Sequence, residues 1–201
     1  MKVIGLCGGS GSGKGTVARL LMKYGIFTVD TDAVYHNITS HKSECLDALV
    51  AAFGEQILSK SGGLDRKRLS EIVFSGDNAA MRRAELNKIA HKYVLKATRE
   101  KIAAFEASGA AAVTVDAPLL FESGFDSECD AVLAVLADEN SRIARIMRRD
   151  GVTERDAVLR IRSQLPDEYL REKADYVIEN NGTPCDLLSG VEEVAAKILN
   201  D

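Results

Sequence analysis

Residues Gly8 to Thr16 read GGSGSGKGT, between an apolar run, Val3 to Cys7, and the helically spaced Val17, Ala18, Leu20, Leu21 and Tyr24. That setting calls for a buried parallel strand, a tight turn and a helix opening onto the turn. There the glycines let the backbone wrap an anion and aim successive N–H groups at its oxygens, while the helix N-terminus adds about half a positive charge. Lys14 adds a mobile cation. Gly9, Gly11, Ser12, Gly13, Lys14, Gly15 and Thr16 are therefore candidate phosphate binders, the alternative being a glycine-rich turn without a ligand. The usual pattern places Ser or Thr directly after the lysine to ligate Mg²⁺. Here Gly15 stands in that place, which leaves Thr16 as the candidate metal ligand.

Further along, Ile26 to Asp30, Ala111 to Asp116, Ala131 to Leu136 and Tyr176 to Glu179 read as strands. Gly25 ends the first helix. Between about 33 and 105 the pattern is helical, with Ser43 or Glu44 opening one helix and Asp65 capping another. A longer helix carries Met81, Leu86, Ile89, Val94, Leu95, Ile102 and Phe105. Thr153 to Asp156 has the form of a capping box, and Leu187 to Leu199 is a last amphipathic helix. Strands alternating with helices predict a three-layer α/β fold with a five-stranded, mostly parallel sheet and ligands beyond the strands' carboxyl ends.

The 201 residues allow one sizeable core, and a formal charge of −4 argues against a grip on nucleic acid. Small anions remain suitable partners. Cys7, Cys45, Cys129 and Cys185 are widely spaced and read as buried reduced thiols, which suits a cytoplasmic protein. No segment has membrane-spanning length, so no membrane partner is expected. Nothing in the sequence sets an oligomeric state.

Carboxylates at strand ends are the next chemical signal. Asp30 and Asp32 follow the second strand, where a carboxylate serves either as the base that takes an acceptor hydroxyl's proton or as a helix cap. Asp116 ends a strand before Ala117-Pro118 and suits Mg²⁺, substrate or turn amides. Arg142, Arg145 and Arg149 share one helix face beside Ile143, Ile146 and Met147. Such a face forms a lid over phosphates or a solvated surface. His36, His41 and His91 form no metal or nucleophile constellation, and Asn180-Asn181-Gly182 reads as a turn whose position also suits an adenine contact.

Taken together, these segments resemble the dephospho-CoA kinase family along almost the whole chain: VDTDAV from Val29, FGEQIL from Phe53, GLDRKRLSEIVF from Gly63, LNKIAH from Leu86, VDAPLLFE from Val115, RIMRRDG from Arg145, RIRSQ from Arg160 and ADYVIENNG from Ala174. The resemblance implies a P-loop kinase fold. It implies transfer of the ATP γ-phosphate to the ribose 3′-hydroxyl of dephospho-CoA with Mg²⁺, the final step of CoA synthesis. Asp32 would be the base, Lys14 and Arg145 would act on the transferring phosphate, and Arg145 and Arg149 would contact ATP. Asp32, His91, Asp116, Leu119 and Leu120 would lie on the acceptor side. One kinase unit, 1–201, is expected, with its core in 1–32, 108–138 and 174–201, a helical substrate-binding region at about 33–107 and a lid at about 139–173. The chain departs from the family at Gly15, where Ser is common, at Lys92, where His is usually followed by Pro, and at Arg142, where Gln is common. GKGT also occurs in adenylate kinases, which should lack the VDAPLLFE and ADYVIENNG combination. The base-reading motif of a GTPase, Asn-Lys-x-Asp, fails at Asn87-Lys88-Ile89-Ala90.

Overall fold

The computed structural model describes residues 1–200. These divide into two compact units, one formed by residues 1–29 with the described residues from 102 onward and the other by residues 30–101.

In the first unit the apolar runs form the sheet. Strand β1 (Lys2–Cys7) leads through the glycine loop into α1 (Lys14–Leu21), and β2 (Ile26–Asp30) follows after a short 3-10 turn. Gly25 takes φ 76° at that turn, a left-handed conformation open to glycine at little cost. The sheet order is β2-β3-β1-β4-β5, where β3 is Ala112–Asp116, β4 is Ala131–Leu136 and β5 is Tyr176–Glu179. β1 pairs in parallel with both β3 and β4, and β4 with β5. β1 is therefore the strand from which the chain departs to either side, the place where such sheets leave a crevice at their carboxyl edge. Ile4, Leu6, Ala112, Leu133, Val135 and Ile178 pack with Val17 and Leu21 of α1 and with Leu187, Val191, Ala195 and Ile198 of the last helix. The one polar residue inside β3, Thr114, is fully buried, and its hydroxyl meets Thr28 Oγ1 at 2.7 Å.

The second unit is helical: α2 (Thr31–Ser40), α3 (Glu44–Phe53), α4 (Arg66–Phe74) and most of α5 (Ala79–Ala107). Asp30, Ser43 and Asp65 cap the first three, each accepting a backbone N–H with its side chain. Cys45, Leu49, Phe53, Ile57, Leu69 and Val73 form a separate core, with Leu86, Ile89 and Tyr93 of α5 against it.

After β4 the first unit continues with α6 (Glu139–Asp150), α7 (Glu154–Arg162) and α8 (Asp167–Lys173), and it ends with α9 (Pro184–Asn200) beyond β5. All five strand positions agree with the sequence reading to within a residue at either end. The four cysteines do not all agree with theirs. Cys7 and Cys45 are buried and Cys129 partly so, but Cys185 is exposed near the start of α9. Its place in the first turn of a surface helix leaves nothing to cover it. Among the described residues no helix is long and apolar enough to cross a membrane.

Candidate active site

Parallel registry sets the chemistry of the first unit. It places Asp116, the last residue of β3, beside Leu6 of β1. The loop leaving β1 then returns Lys14 to this edge, where its Nζ lies 3.2 Å from Asp116 Oδ1. Each of these side chains retains about a fifth of its exposure, enough to reach a ligand and too little for water to screen the pair fully. Cys7 lies beneath them. Burial pushes its thiol up to about 12, opposed by Lys14 and reinforced by Asp116.

Gly13 caps α1 at φ 103° and offers no side chain to the helix's first amides. These amides are the anion-binding groups of a helix start. A Cβ at Gly13 would stand 2.2 Å from Asn180 Nδ2, which itself donates to Ser12 O at 2.7 Å. The loop thus requires glycine here for both its backbone angle and its neighbour.

A cavity of about 540 Å³ opens over this loop. Gly9, Gly11, Gly13, Lys14, Gly15, Thr16, Arg145 and Arg149 line it, joined by Arg19, Pro118 and Gln164. Its wall carries four basic side chains although the chain has a formal charge of −4, so the positive charge is local to the loop. Ser12 is the exception among the expected loop residues, since it is 1% exposed, its hydroxyl is buried, and it does not line the cavity. A smaller cavity of about 150 Å³ shares Gly8, Gly9, Pro118 and Gln164 with the first and adds Leu119 and Leu120. Leu119 is exposed and Leu120 buried.

The three arginines of α6 divide their work in a way that helical spacing does not reveal. Arg142 is buried, with Nε on Ser10 O at 3.0 Å and Nη1 on Asp167 at 2.8 Å, which corrects the reading of a continuous three-arginine lid face. Arg145 reaches Gly11 O at 3.1 Å and Asn180 O at 2.9 Å from its place in the cavity wall. Arg149 is exposed and pairs with Asp150, which also holds Arg160. These partners, Arg149 first, pull the Asp150 carboxyl down to about 2.

Asp32 and His91 belong to the second unit. Asp30, not Asp32, takes the capping role, its carboxylate accepting from Ala33 N at 3.0 Å. Asp32 is exposed in the first turn of α2 and shares a cavity of about 360 Å³ with Tyr35, Leu64, Arg66, Leu69, Ser70, Phe74 and Leu86. His91 is half-buried on α5. Two residues around the loop escaped sequence reasoning. Gln164 Oε1 accepts from Ser10 N at 2.8 Å, and Asp167 balances the charge of Arg142. Gln164 was within sight, since it closes the family-like segment RIRSQ, but Asp167 carries no such signal.

The model of the family described as dephospho-CoA kinase matches residues 2–186. A dephospho-CoA kinase of Arabidopsis thaliana is 40% identical over 98% of this chain and 84% of its own length. One of Corynebacterium efficiens is 40% identical over 98% of this chain and 96% of its own. Among solved structures, the crystal structure of TT1252 from Thermus thermophilus superposes with a TM-score of 0.80 at 33% identity, covering 98% of this chain and 97% of that one. A family match across nearly the whole length, on a chain whose glycine loop, Lys14 and Asp116 meet at one sheet edge, establishes that the chain belongs to the dephospho-CoA kinase family.

Proposed function

We propose that the chain transfers the γ-phosphate of ATP to the ribose 3′-hydroxyl of dephospho-CoA, giving CoA and ADP. The observation that carries this reading is the cationic cavity over the glycine loop in a chain that matches the dephospho-CoA kinase family over residues 2–186. Loop amides and Lys14 bind the phosphates of ATP, and Arg145 and Arg149 add positive charge from α6. Asp32, the second carboxylate of the segment VDTDAV, takes the proton of the acceptor hydroxyl. The new P–O bond forms to that oxygen as the bond from the γ-phosphorus to the bridging oxygen of ADP breaks. Asp116, His91, Leu119 and Leu120 serve the acceptor.

Two hard oxygen donors fit Mg²⁺, the Thr16 hydroxyl in the cavity wall and the Asp116 carboxylate at the end of β3. They would hold the ion together with phosphate oxygens and water, and the ion would supply charge neutralisation. Thr16 Oγ1 lies 3.4 Å from Arg19 Nη2, a distance that leaves the hydroxyl weakly engaged. The surroundings are proposed to be cytoplasmic, with ATP and dephospho-CoA as the partners.

A panel of acceptors tests the assignment. Purified protein with ATP and Mg²⁺ should release ADP with dephospho-CoA and form CoA, while AMP leaves ATP unspent. Efficient phosphorylation of AMP with dephospho-CoA untouched would overturn it.

A further inference from the structure

Ser10, at the tip of the glycine loop, has both of its backbone polar groups held by side chains far away in the sequence. Its N–H donates to Gln164 Oε1 at 2.8 Å, and its carbonyl accepts from Arg142 Nε at 3.0 Å. The two side chains are themselves joined, Arg142 Nη2 to Gln164 Oε1 at 3.3 Å. Arg142 Nη1 completes the arrangement on Asp167 Oδ1 at 2.8 Å. The Arg142 side chain is 5% exposed and that of Asp167 29%. A guanidinium at that depth gives up most of its hydration and needs hydrogen-bond acceptors around it in compensation. Here Nε, Nη1 and Nη2 each have an acceptor.

Gly9 adds a second, independent observation. A Cβ there would fall 2.0 Å from Arg142 Nη2, so the guanidinium occupies the volume that the missing side chain leaves free. The loop and the arginine are fitted to one another at close range. A loop containing Gly8, Gly9, Gly11, Gly13 and Gly15 has large backbone freedom to lose when it closes on phosphate. Any contact that orders it beforehand shifts that cost from binding to folding.

We propose that Arg142, Gln164 and Asp167 form a positioning clamp that holds the Ser10 peptide and so keeps the phosphate loop in its ATP-receiving conformation. The proposal rests on the reading of this loop as the ATP site, and it gives Arg142 a task distinct from those of Arg145 and Arg149. Arg142 acts through the backbone of Ser10. Asp167 acts through Arg142, as the counter-charge that keeps a cation in place under the loop.

The test combines backbone exchange with steady-state kinetics on the full chain. Without nucleotide, hydrogen exchange at the Ser10 amide should be about tenfold faster in Arg142→Ala and in Gln164→Ala, about the weight of one hydrogen bond. With substrates, Arg142→Ala should raise KM for ATP about tenfold and leave KM for dephospho-CoA within about twofold. Asp167→Asn should move both readouts in the same direction by less, and the Arg142→Ala, Asp167→Asn double variant should be no worse than Arg142→Ala alone. An Arg142→Ala protein that unfolds at lower temperature but keeps wild-type Ser10 exchange and wild-type KM for ATP would overturn the clamp. If that variant does not fold, Gln164→Ala and Asp167→Asn decide the matter by the same readouts. Exchange is measured without any acceptor, so failure to phosphorylate dephospho-CoA would count against the proposed activity and leave the exchange result standing.

Discussion

Asp30 and Asp32 show how finely two neighbouring carboxylates divide their tasks. Asp30 spends its side chain on Ala33 N, whereas Asp32 faces a cavity walled by Tyr35, Arg66 and apolar side chains. Asp32→Asn keeps the shape and removes the basicity. Turnover should fall by at least about a hundredfold, the usual worth of a positioned base, with KM for ATP changed less than about twofold. Near-normal turnover would strip Asp32 of that role. Cysteine depth offers a second check at this scale. Burial pushes the thiols of Cys7, Cys45 and Cys129 up to about 12, 11 and 12, so at pH 8 each is almost wholly protonated and poorly nucleophilic. Cys185 is exposed. Brief treatment of the native protein with iodoacetamide should add one carbamidomethyl group, at Cys185, as read by intact mass and peptide mapping. Rapid labelling of Cys7 would contradict its burial. Sequence spacing excludes a close thiol pair but carries no depth, so it does not distinguish the exposed Cys185 from the buried Cys7 and Cys45.

Helix boundaries follow from cap chemistry wherever it is visible in the sequence. Thr153 Oγ1 accepts from Asp156 N at 3.2 Å, and the Asp156 carboxylate returns to Thr153 N at 3.4 Å. Thr153→Ala should therefore cost about 1 kcal/mol, measurable as a lower urea midpoint with an unchanged slope. A midpoint equal to wild type would show that α7 does not depend on this cap. Ser43 and Asp65 were legible for the same reason. Apolar spacing starts α9 three residues late, at Leu187, because the helix begins on a polar cap, with Asp186 N donating to Thr183 Oγ1 at 3.3 Å. α6 exposes the opposite limit. Periodicity put Arg142, Arg145 and Arg149 on one face, but it held no information about Ser10 and Asp167, the groups that draw Arg142 inward.

For the whole molecule, the five strands were readable because strands of a parallel sheet are near-continuous apolar runs. Their order was not, since alternation and hydropathy say nothing about which strand lies beside which. Yet order decides the site: only because β3 lies next to β1 does Asp116 meet Lys14. The central place of β1 also has a temporal consequence. Lys2 pairs with Ala112, and Ile4 pairs with both Thr114 and Ala131. During synthesis the glycine-loop segment is therefore made before β3 and β4, and β1 must wait until β4 has emerged before it gains both neighbours, a slow, non-local closure. β1 and its loop precede in the chain the strands that flank them, so a chain that stops before β3 has the loop without the strand that sets Asp116 beside Lys14.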